Sequence, residues 1–317
     1  MTDRRRINGP VGATAPPVFA RGDQRKGKVS VRTRPNDIIR KICECRRQRG
    51  REGRDEDEDR LLTARTDLQT GVTPSASGSA YLELSSGAVA GTSGLKLSCT
   101  VHGPRALPRS MPFSPHLILS THVKYAPFAT KERRGYLRDT SERDLAVHLE
   151  TSLRGAILGE RWPKSGVDIV VSVIEADQDR SAPEQDPAEE LWGMMNVLSG
   201  CVTVASAALA DAGIDCVDTV AGGVAALVEE TAAEQASPTA EHVLVADPVP
   251  AEHGRILAAC CVAYLPNRDE VTNLWLKGDM PPSVDGALQL QMIDQALHAA
   301  RQADQVIVAA LQETAEQ

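Results

Sequence analysis

Aromatic residues are scarce in this sequence. Its 317 residues include 3 Phe, 3 Trp and 4 Tyr, which is too few for the row of base-stacking side chains found in many single-strand binders. Charge is also uneven: residues 1–54 hold 16 Lys and Arg against 5 Asp and Glu, and the remainder holds 19 against 38. The acidic body excludes a nucleic-acid binder that works by overall charge and leaves only local basic patches.

The sequence also lacks the cysteine patterns of a metal or disulfide protein. Its 7 cysteines form no C-x-x-C pair, and most of them lie in apolar runs. An odd number of such thiols is typical of a reducing compartment, where a buried Cys behaves as a small hydrophobic residue. The histidines His102, His116, His122 and His148 have no metal-ligand spacing. We therefore predict no metal and no cofactor.

Membrane and targeting segments are missing too. We expect no membrane-spanning segment, since no apolar run approaches that length, and the basic start at Arg4 to Arg6 is not followed by the apolar region of a signal peptide. We expect an intracellular, soluble protein without membrane contact.

The N-terminal part of the chain differs in composition from the rest. Residues 1–35 are rich in Pro, Gly and Arg and are predicted to form an extended arm, with room for a first strand at Val29 to Thr33. Residues 36–66 place a basic run against the acidic run Asp55 to Asp59, and they cannot bury enough apolar surface to offset the entropy of ordering. We interpret them as a disordered insertion. A solvated surface loop fits this segment, and so does an import signal or an RNA-contacting tail.

The most informative stretch runs from Arg133 to Ile214. It predicts a helix that starts at a capping box of Ser141 and Asp144 and ends at Gly159. Three leucines at a spacing of four form its apolar stripe: Leu145, Leu149 and Leu153. The Val and Ile residues of 167–174 then predict a strand covered on both faces. A second helix, rich in small residues, follows and ends with Gly213 at its C′ position.

Alternating apolar residues predict further strands. They are Gly78 to Leu84, Leu95 to Val101, Leu117 to Val123, Asp218 to Val228, His242 to Ala246 and Ile256 to Leu265. The first of them, Gly78 to Leu84, is the expected hairpin partner of the next two. A closing helix is predicted from Ser283 to Leu311, with Leu290, Ile293, Leu297 and Ala300 as its inner stripe. Because strands and helices are grouped and do not strictly alternate, the predicted class is α+β, with mixed sheets packed against helices.

Several motifs in these elements resemble one family. They are RRRINGP at Arg4 to Pro10, GSAYLEL at Gly78 to Leu84, YAPFA at Tyr125 to Ala129, SERDL at Ser141 to Leu145 and ALADAGI at Ala208 to Ile214. Together they resemble the RNase PH-like ring subunits of the eukaryotic RNA exosome. The resemblance implies one RNase PH-like domain over residues 67–317, with the RNase PH fold, which is related to the second domain of ribosomal protein S5.

The resemblance also implies where catalytic residues would lie, and they are missing. Active relatives hold phosphate with a Gly-Thr-Arg sequence, whose positions here are Asn196 to Leu198. Leu198, at the Arg position, offers no charge-assisted hydrogen bond. The two catalytic Asp positions fall at His253 and Ala259. His253 could act as a general base, although a surface role fits an isolated loop histidine better, and a slip in register could bring Glu252 into place. We assign no catalytic residue.

A basic cluster remains in the sequence: Arg105, Arg109, Lys131, Arg133, Arg134 and Arg138. In the family, the Arg-rich loop before SERD faces the central pore and contacts the RNA backbone. Arg133, Arg134 and Arg138 match that loop and are the predicted RNA-binding residues. Cations without interleaved aromatics suit sequence-independent phosphate contact. Solvation of a surface loop would explain these charges equally well.

By this resemblance the chain is predicted to be a catalytically inactive structural subunit of a hexameric ring that threads single-stranded RNA to a nuclease elsewhere. The implied partners are other RNase PH-like ring subunits, an S1-domain cap subunit and an exosome-associated nuclease. The implied locations are the nucleus, nucleolus and cytoplasm. The alternative function is an active phosphate-dependent 3′–5′ exoribonuclease. An unrelated α/β enzyme would need a convergent site that the sequence does not show.

Overall fold

A computed structural model describes residues 66–84, 94–108, 110–130, 133–137, 139–176, 187–230, 241–248, 255–278 and 286–315. The strands are β1 Thr66–Thr70, β2 Gly78–Leu84, β3 Leu95–Ala106, β4 Ile118–Tyr125, β5 Ser165–Glu175, β6 Ala221–Glu230, β7 Glu241–Ala246, β8 Arg255–Leu265 and β9 Glu270–Gly278. The α-helices are α1 Thr140–Arg154, α2 Pro187–Asp211 and α3 Gly286–Ala315, and a 3-10 turn covers Gly159–Arg161. The predicted arm, residues 1–35, lies outside the described ranges, and so does the predicted insertion, residues 36–66, except for Thr66, which is the first residue of β1.

The strands form two sheets. The first has the order β1-β2-β3-β5-β4, in which only β4 and β5 are parallel. Strands β2 and β3 pair from Leu84 opposite Leu95 to Gly78 opposite Val101, which confirms the predicted pairing. The second sheet has the order β7-β6-β8-β9 and is antiparallel throughout.

Helix α2 lies between the two sheets. It packs against β2 and β3 of the first sheet and against β6 and β8 of the second. Its segment Trp192–Asp211 has a mean hydropathy of 1.5 and is long enough to cross a membrane, which corrects the expectation that no apolar run reaches that length. However, 89% of it is buried inside the protein. A helix that is apolar on every side and covered by its own chain is the core helix of the domain.

Glycines let the sheets approach α2 at backbone distance. A Cβ on Gly78 would lie 2.3 Å from the backbone nitrogen of Ala212, and one on Gly222 would lie 2.4 Å from the carbonyl oxygen of Ser199. On the other face of β6, a Cβ on Gly223 would lie 2.1 Å from the carbonyl oxygen of Ala296 in α3. The second sheet therefore has α2 on one face and α3 on the other.

Helix α1 differs from its prediction at both ends. Its N-cap is Asp139, and the capping box is formed with Glu142, two residues before the predicted Ser141 and Asp144 pair. The helix ends at Arg154 and is capped by Gly155, because the chain then turns into the short 3-10 segment instead of continuing to Gly159. The apolar stripe of Leu145, Leu149 and Leu153 is fully buried, as predicted.

The buried faces of β5 and α3 also differ from their predictions. Strand β5 buries alternate residues, and Ser172 is exposed, so only one of its faces is packed and not both. Strands β1 and β9 were not predicted. The inner stripe of α3 is centred on Met292, Ala296 and Ala300, whereas Leu290 is 64% exposed. Of the other predicted members, Ala300 is fully buried, and Ile293 and Leu297 are partly buried against the core.

Close packing at Gly222 generates a stability prediction. The change Gly222→Ala should lower the free energy of unfolding by about 2 kcal/mol or more, because the new methyl group meets the α2 backbone and not a side chain that can move. Gly286→Ala is the matched control, since its Cβ would meet nothing within 4 Å. Urea denaturation of both variants measures the difference, and equal stability of the two would contradict the packing.

Buried thiols generate a pH prediction. Burial raises the pKa of Cys216 to about 11 and of Cys260 to about 12 from 9.0, and it raises the pKa of Cys99, Cys201 and Cys261 as well. Above pH 9 the unfolded thiols lose protons that the folded ones keep, so stability should fall from pH 9 up to the folded pKa values, with no effect below pH 9. Denaturation at pH 8 to 11 measures this fall. If Cys260→Ala leaves the slope of stability against pH unchanged, burial of the Cys260 thiol does not cause the fall in stability.

Candidate nucleic-acid interface

The predicted RNA-binding arginines lie between β4 and α1, in residues 133–139, here called the arginine loop. Lys124 at the end of β4 holds this loop. Its Nζ donates to the carbonyl oxygens of Gly135 at 3.4 Å and Leu137 at 3.1 Å. The same Nζ lies 2.9 Å from both carboxylate oxygens of Glu142. One lysine thus connects a strand, a loop and a helix.

Glu142 is the buried anchor of this arrangement. Its side chain is 1% exposed, and besides Lys124 it accepts from the backbone nitrogens of Tyr125 and Asp139, each at 3.1 Å. It therefore joins the end of β4 to the start of α1. Sequence reasoning missed both Lys124 and Glu142 as organising residues. The available signal was the Glu of SERDL, three residues after Asp139, at the N3 position of a capping box.

Arg134 packs against the protein body. Its guanidinium carbon lies 4.3 Å from the ring centre of Tyr125, and its Nη1 donates to Ser141 Oγ at 3.0 Å. Its backbone nitrogen donates to the carbonyl oxygen of Pro127, and its side chain is only 14% exposed. These contacts fix the shape of the loop.

Arg133, in contrast, is exposed to solvent, and Arg138 lies outside the described residues. Tyr136 lies between them and is 77% exposed. The expectation of cations without interleaved aromatics is therefore wrong for this loop. Assignment of RNA binding to Arg133, Arg134 and Arg138 stays a prediction.

The larger basic cluster is not one surface. Arg105 pairs with Asp168 and lies opposite Gly166 in β5. Tyr125, on which Arg134 stacks, lies opposite Val173 in the same strand. Seven residues of strand separate these positions by about 23 Å. Two further members of the cluster, Arg109 and Lys131, lie outside the described residues.

The positions of the family's phosphate cradle lie inside the core helix. Val197 and Leu198 are each 1% exposed and Asn196 is 5% exposed. Asn196 Nδ2 donates to the carbonyl oxygen of Pro248 at 2.7 Å, which ties the helix to the end of β7. No Lys or Arg occurs anywhere in α2. Helix α2 therefore brings no cation to this place.

Of the two positions that the resemblance assigns to catalytic Asp residues, the structure describes only one. Ala259 lies in β8 and is fully buried, whereas Glu252 and His253 lie outside the described residues. Among the residues that the structure does describe, no three or more His, Cys, Asp and Glu side chains are grouped so that they could hold a metal ion.

Comparison with known proteins agrees with these features. Residues 63–215 match the model of the 3′ exoribonuclease family, domain 1. The chain is 60% identical over 315 residues to the exosome complex component MTR3 of Chaetomium thermophilum, with 99% of each chain covered. It is 27% identical to the exosome complex component mtr3 of Schizosaccharomyces pombe, over 89% of this chain and 87% of that one. Rice Rrp46, at 16% identity, superposes with a TM-score of 0.56 over 78% of this chain and 94% of the other, which concerns the fold alone.

The chain belongs to the RNase PH-like family of exosome components, and the predicted fold class and RNase PH fold are confirmed. Within that family, the sequence motifs predict the type called mRNA transport regulator three. The 60% identity to MTR3 of Chaetomium thermophilum confirms this prediction.

The buried anchor yields a prediction for the loop. Glu142→Ala should cost about 2 to 3 kcal/mol of stability, because it leaves Lys124 and two backbone N–H groups without their acceptor, while Lys124 stays partly solvated. Glu150→Ala on the same helix is the control. Its partner Arg154 is 72% exposed, so its loss should cost under about 1 kcal/mol. Thermal unfolding of the two variants measures both effects. Similar losses would mean that Glu142 is not an anchor.

Proposed function

We propose that this protein is a catalytically inactive, structural subunit of the RNase PH-like ring of the RNA exosome. The observation that carries the proposal is Leu198, a fully buried leucine where the family's phosphate-binding arginine would lie. A phosphorolytic enzyme must bring inorganic phosphate beside the RNA end, and a phosphate dianion in contact with a buried leucine would lose its hydration without compensation.

A second observation supports the same conclusion. Ala259 occupies one of the two carboxylate positions and is packed inside the second sheet. A register slip toward Glu252 would restore one carboxylate without restoring the cation. Loss of both functional groups leaves the fold intact, because Leu198 and Ala259 are ordinary core residues at these places.

The expected role is assembly and RNA guidance. Names of the relatives support the other RNase PH-like subunits as ring neighbours, and an S1-domain cap subunit and an associated nuclease complete the proposed set of partners. Single-stranded RNA would pass the arginine loop, where exposed Arg133 offers a sequence-independent phosphate contact. Action in the nucleus, nucleolus and cytoplasm belongs to the same proposal.

Activity can be tested directly. Purified protein, incubated with phosphate, magnesium and a labelled oligonucleotide, should leave the oligonucleotide intact, since α2 carries no Lys or Arg that could replace the missing arginine. An active phosphorolytic member of the family serves as positive control. Phosphate-dependent release of nucleoside diphosphates would instead establish the alternative, an active 3′–5′ exoribonuclease.

If Arg133 contacts an RNA phosphate, its loss should change how RNA binding depends on salt. In the assembled complex, Arg133→Ala should weaken RNA binding for all sequences and flatten the plot of log K against log salt by roughly 0.7, the value for one phosphate contact of a single strand. Arg143→Ala is the control, because Arg143 is exposed on α1 outside the loop. Binding titrations from 50 to 300 mM salt measure both quantities. If Arg133→Ala leaves the slope unchanged, RNA contact by Arg133 is excluded, and the structural role stands.

A further inference from the structure

An exposed aromatic side chain lies at the centre of the arginine loop. Tyr136 is 77% exposed, and its neighbour Leu137 is 62% exposed. An exposed tyrosine ring does not contribute to folding the stabilisation that its burial would provide. Most of the Tyr136 ring is not used in packing against the described part of the chain.

The backbone on both sides of Tyr136 is held in place. Lys124 Nζ donates to the carbonyl oxygen of Gly135, one residue before Tyr136, and to that of Leu137, one residue after it. Lys124 is in turn fixed by the buried carboxylate of Glu142. The ring therefore projects from an anchored segment, and little backbone entropy is lost when a ligand packs against it.

The chemistry around the ring favours a nucleic acid. Exposed Arg133 lies three residues away, within about 10 Å along the chain, and Arg134 fixes the loop between them through its contact with Tyr125. An aromatic face beside an anchored basic loop can contact a base and a neighbouring phosphate of one single strand.

We propose that Tyr136 is a base-stacking residue that holds one nucleotide of single-stranded RNA at the arginine loop. The proposal rests on the RNA-guiding role proposed above and adds to it a contact that does not depend on charge. Glu142 and Lys124 are positioning residues for this contact, since they act through the loop. A single stacking position agrees with the scarcity of aromatics in the chain.

The test uses the assembled complex with four versions of this chain: wild type, Tyr136→Ala, Tyr136→Phe and Leu137→Ala. Binding of a labelled single-stranded RNA is measured across salt concentrations. Tyr136→Ala should weaken binding on the order of 5- to 150-fold, the range found for one stacked base, with an unchanged salt slope. Tyr136→Phe should keep most of the affinity, because it keeps the ring. Leu137→Ala is the matched loss of an exposed apolar side chain and should have little effect.

An RNA with abasic sites provides the second measurement. It retains every phosphate and lacks the bases at the contacted positions, so wild type and Tyr136→Ala should bind it equally. Equal losses on normal and abasic RNA would overturn stacking, and so would unchanged binding by Tyr136→Ala. Impaired assembly of Tyr136→Ala with its partner subunits, at wild-type RNA affinity, would assign the ring to a protein contact instead.

These outcomes separate the two proposals. If Arg133→Ala changes the salt slope while Tyr136→Ala has no effect, the RNA-guiding role stands and the stacking contact is wrong. If neither variant changes RNA binding by the complex, the loop has no role in guiding RNA and both fail.

Discussion

The rest of the structure depends on the burial of helix α2 between two sheets at backbone distance. Strand β2 reaches the helix through Gly78, and strand β6 reaches it through Gly222, where a single methyl group would collide with the helix backbone. Packing this close leaves room only for small or apolar residues on α2, and interiors of such density tolerate little change in volume. A charged group on the buried part of α2 would need a partner, and at Asn196 to Leu198 the helix is inside the core.

This constraint bears on the proposal that this member of an enzyme family lacks catalytic activity. The charged groups of a phosphate site have to be desolvated or paired, and both cost free energy. Replacement by Leu198 and Ala259 removes that cost and adds apolar contacts to the same core. The Asn196 side-chain amide has a structural role, because its hydrogen bond to the Pro248 carbonyl oxygen connects α2 to the end of β7. If the protein is inactive as proposed, buried Leu198 and Ala259 stabilise its fold, which suits a subunit whose proposed task is to hold its neighbours in place.

Much of the architecture was predictable from local patterns, and the failures have physical causes. The leucine stripe of α1, the pairing of β2 with β3 and the Gly213 terminus of α2 follow from periodicity and glycine conformation. Strand β9 was missed because a bulge near Thr272 interrupts its alternation, so that Val271 and Leu274 lie on one face although they are three residues apart. The boundaries of α1 were misjudged because two overlapping capping boxes can be written for its first residues, and only the tertiary partners of Glu142 select one of them.

The arginine loop shows the limit of the same approach at the candidate site. Arg133 and Arg134 are adjacent and identical in type, yet one is exposed and the other is packed on Tyr125. Nothing in their local sequence separates them, because the difference comes from a ring and a hydroxyl supplied by two other elements. Family motifs point to this loop, and only the tertiary contacts show that its cations differ in exposure. A basic motif therefore gives an upper limit on the number of phosphate contacts, and a guanidinium that already donates inside the protein has fewer N–H groups left for a phosphate.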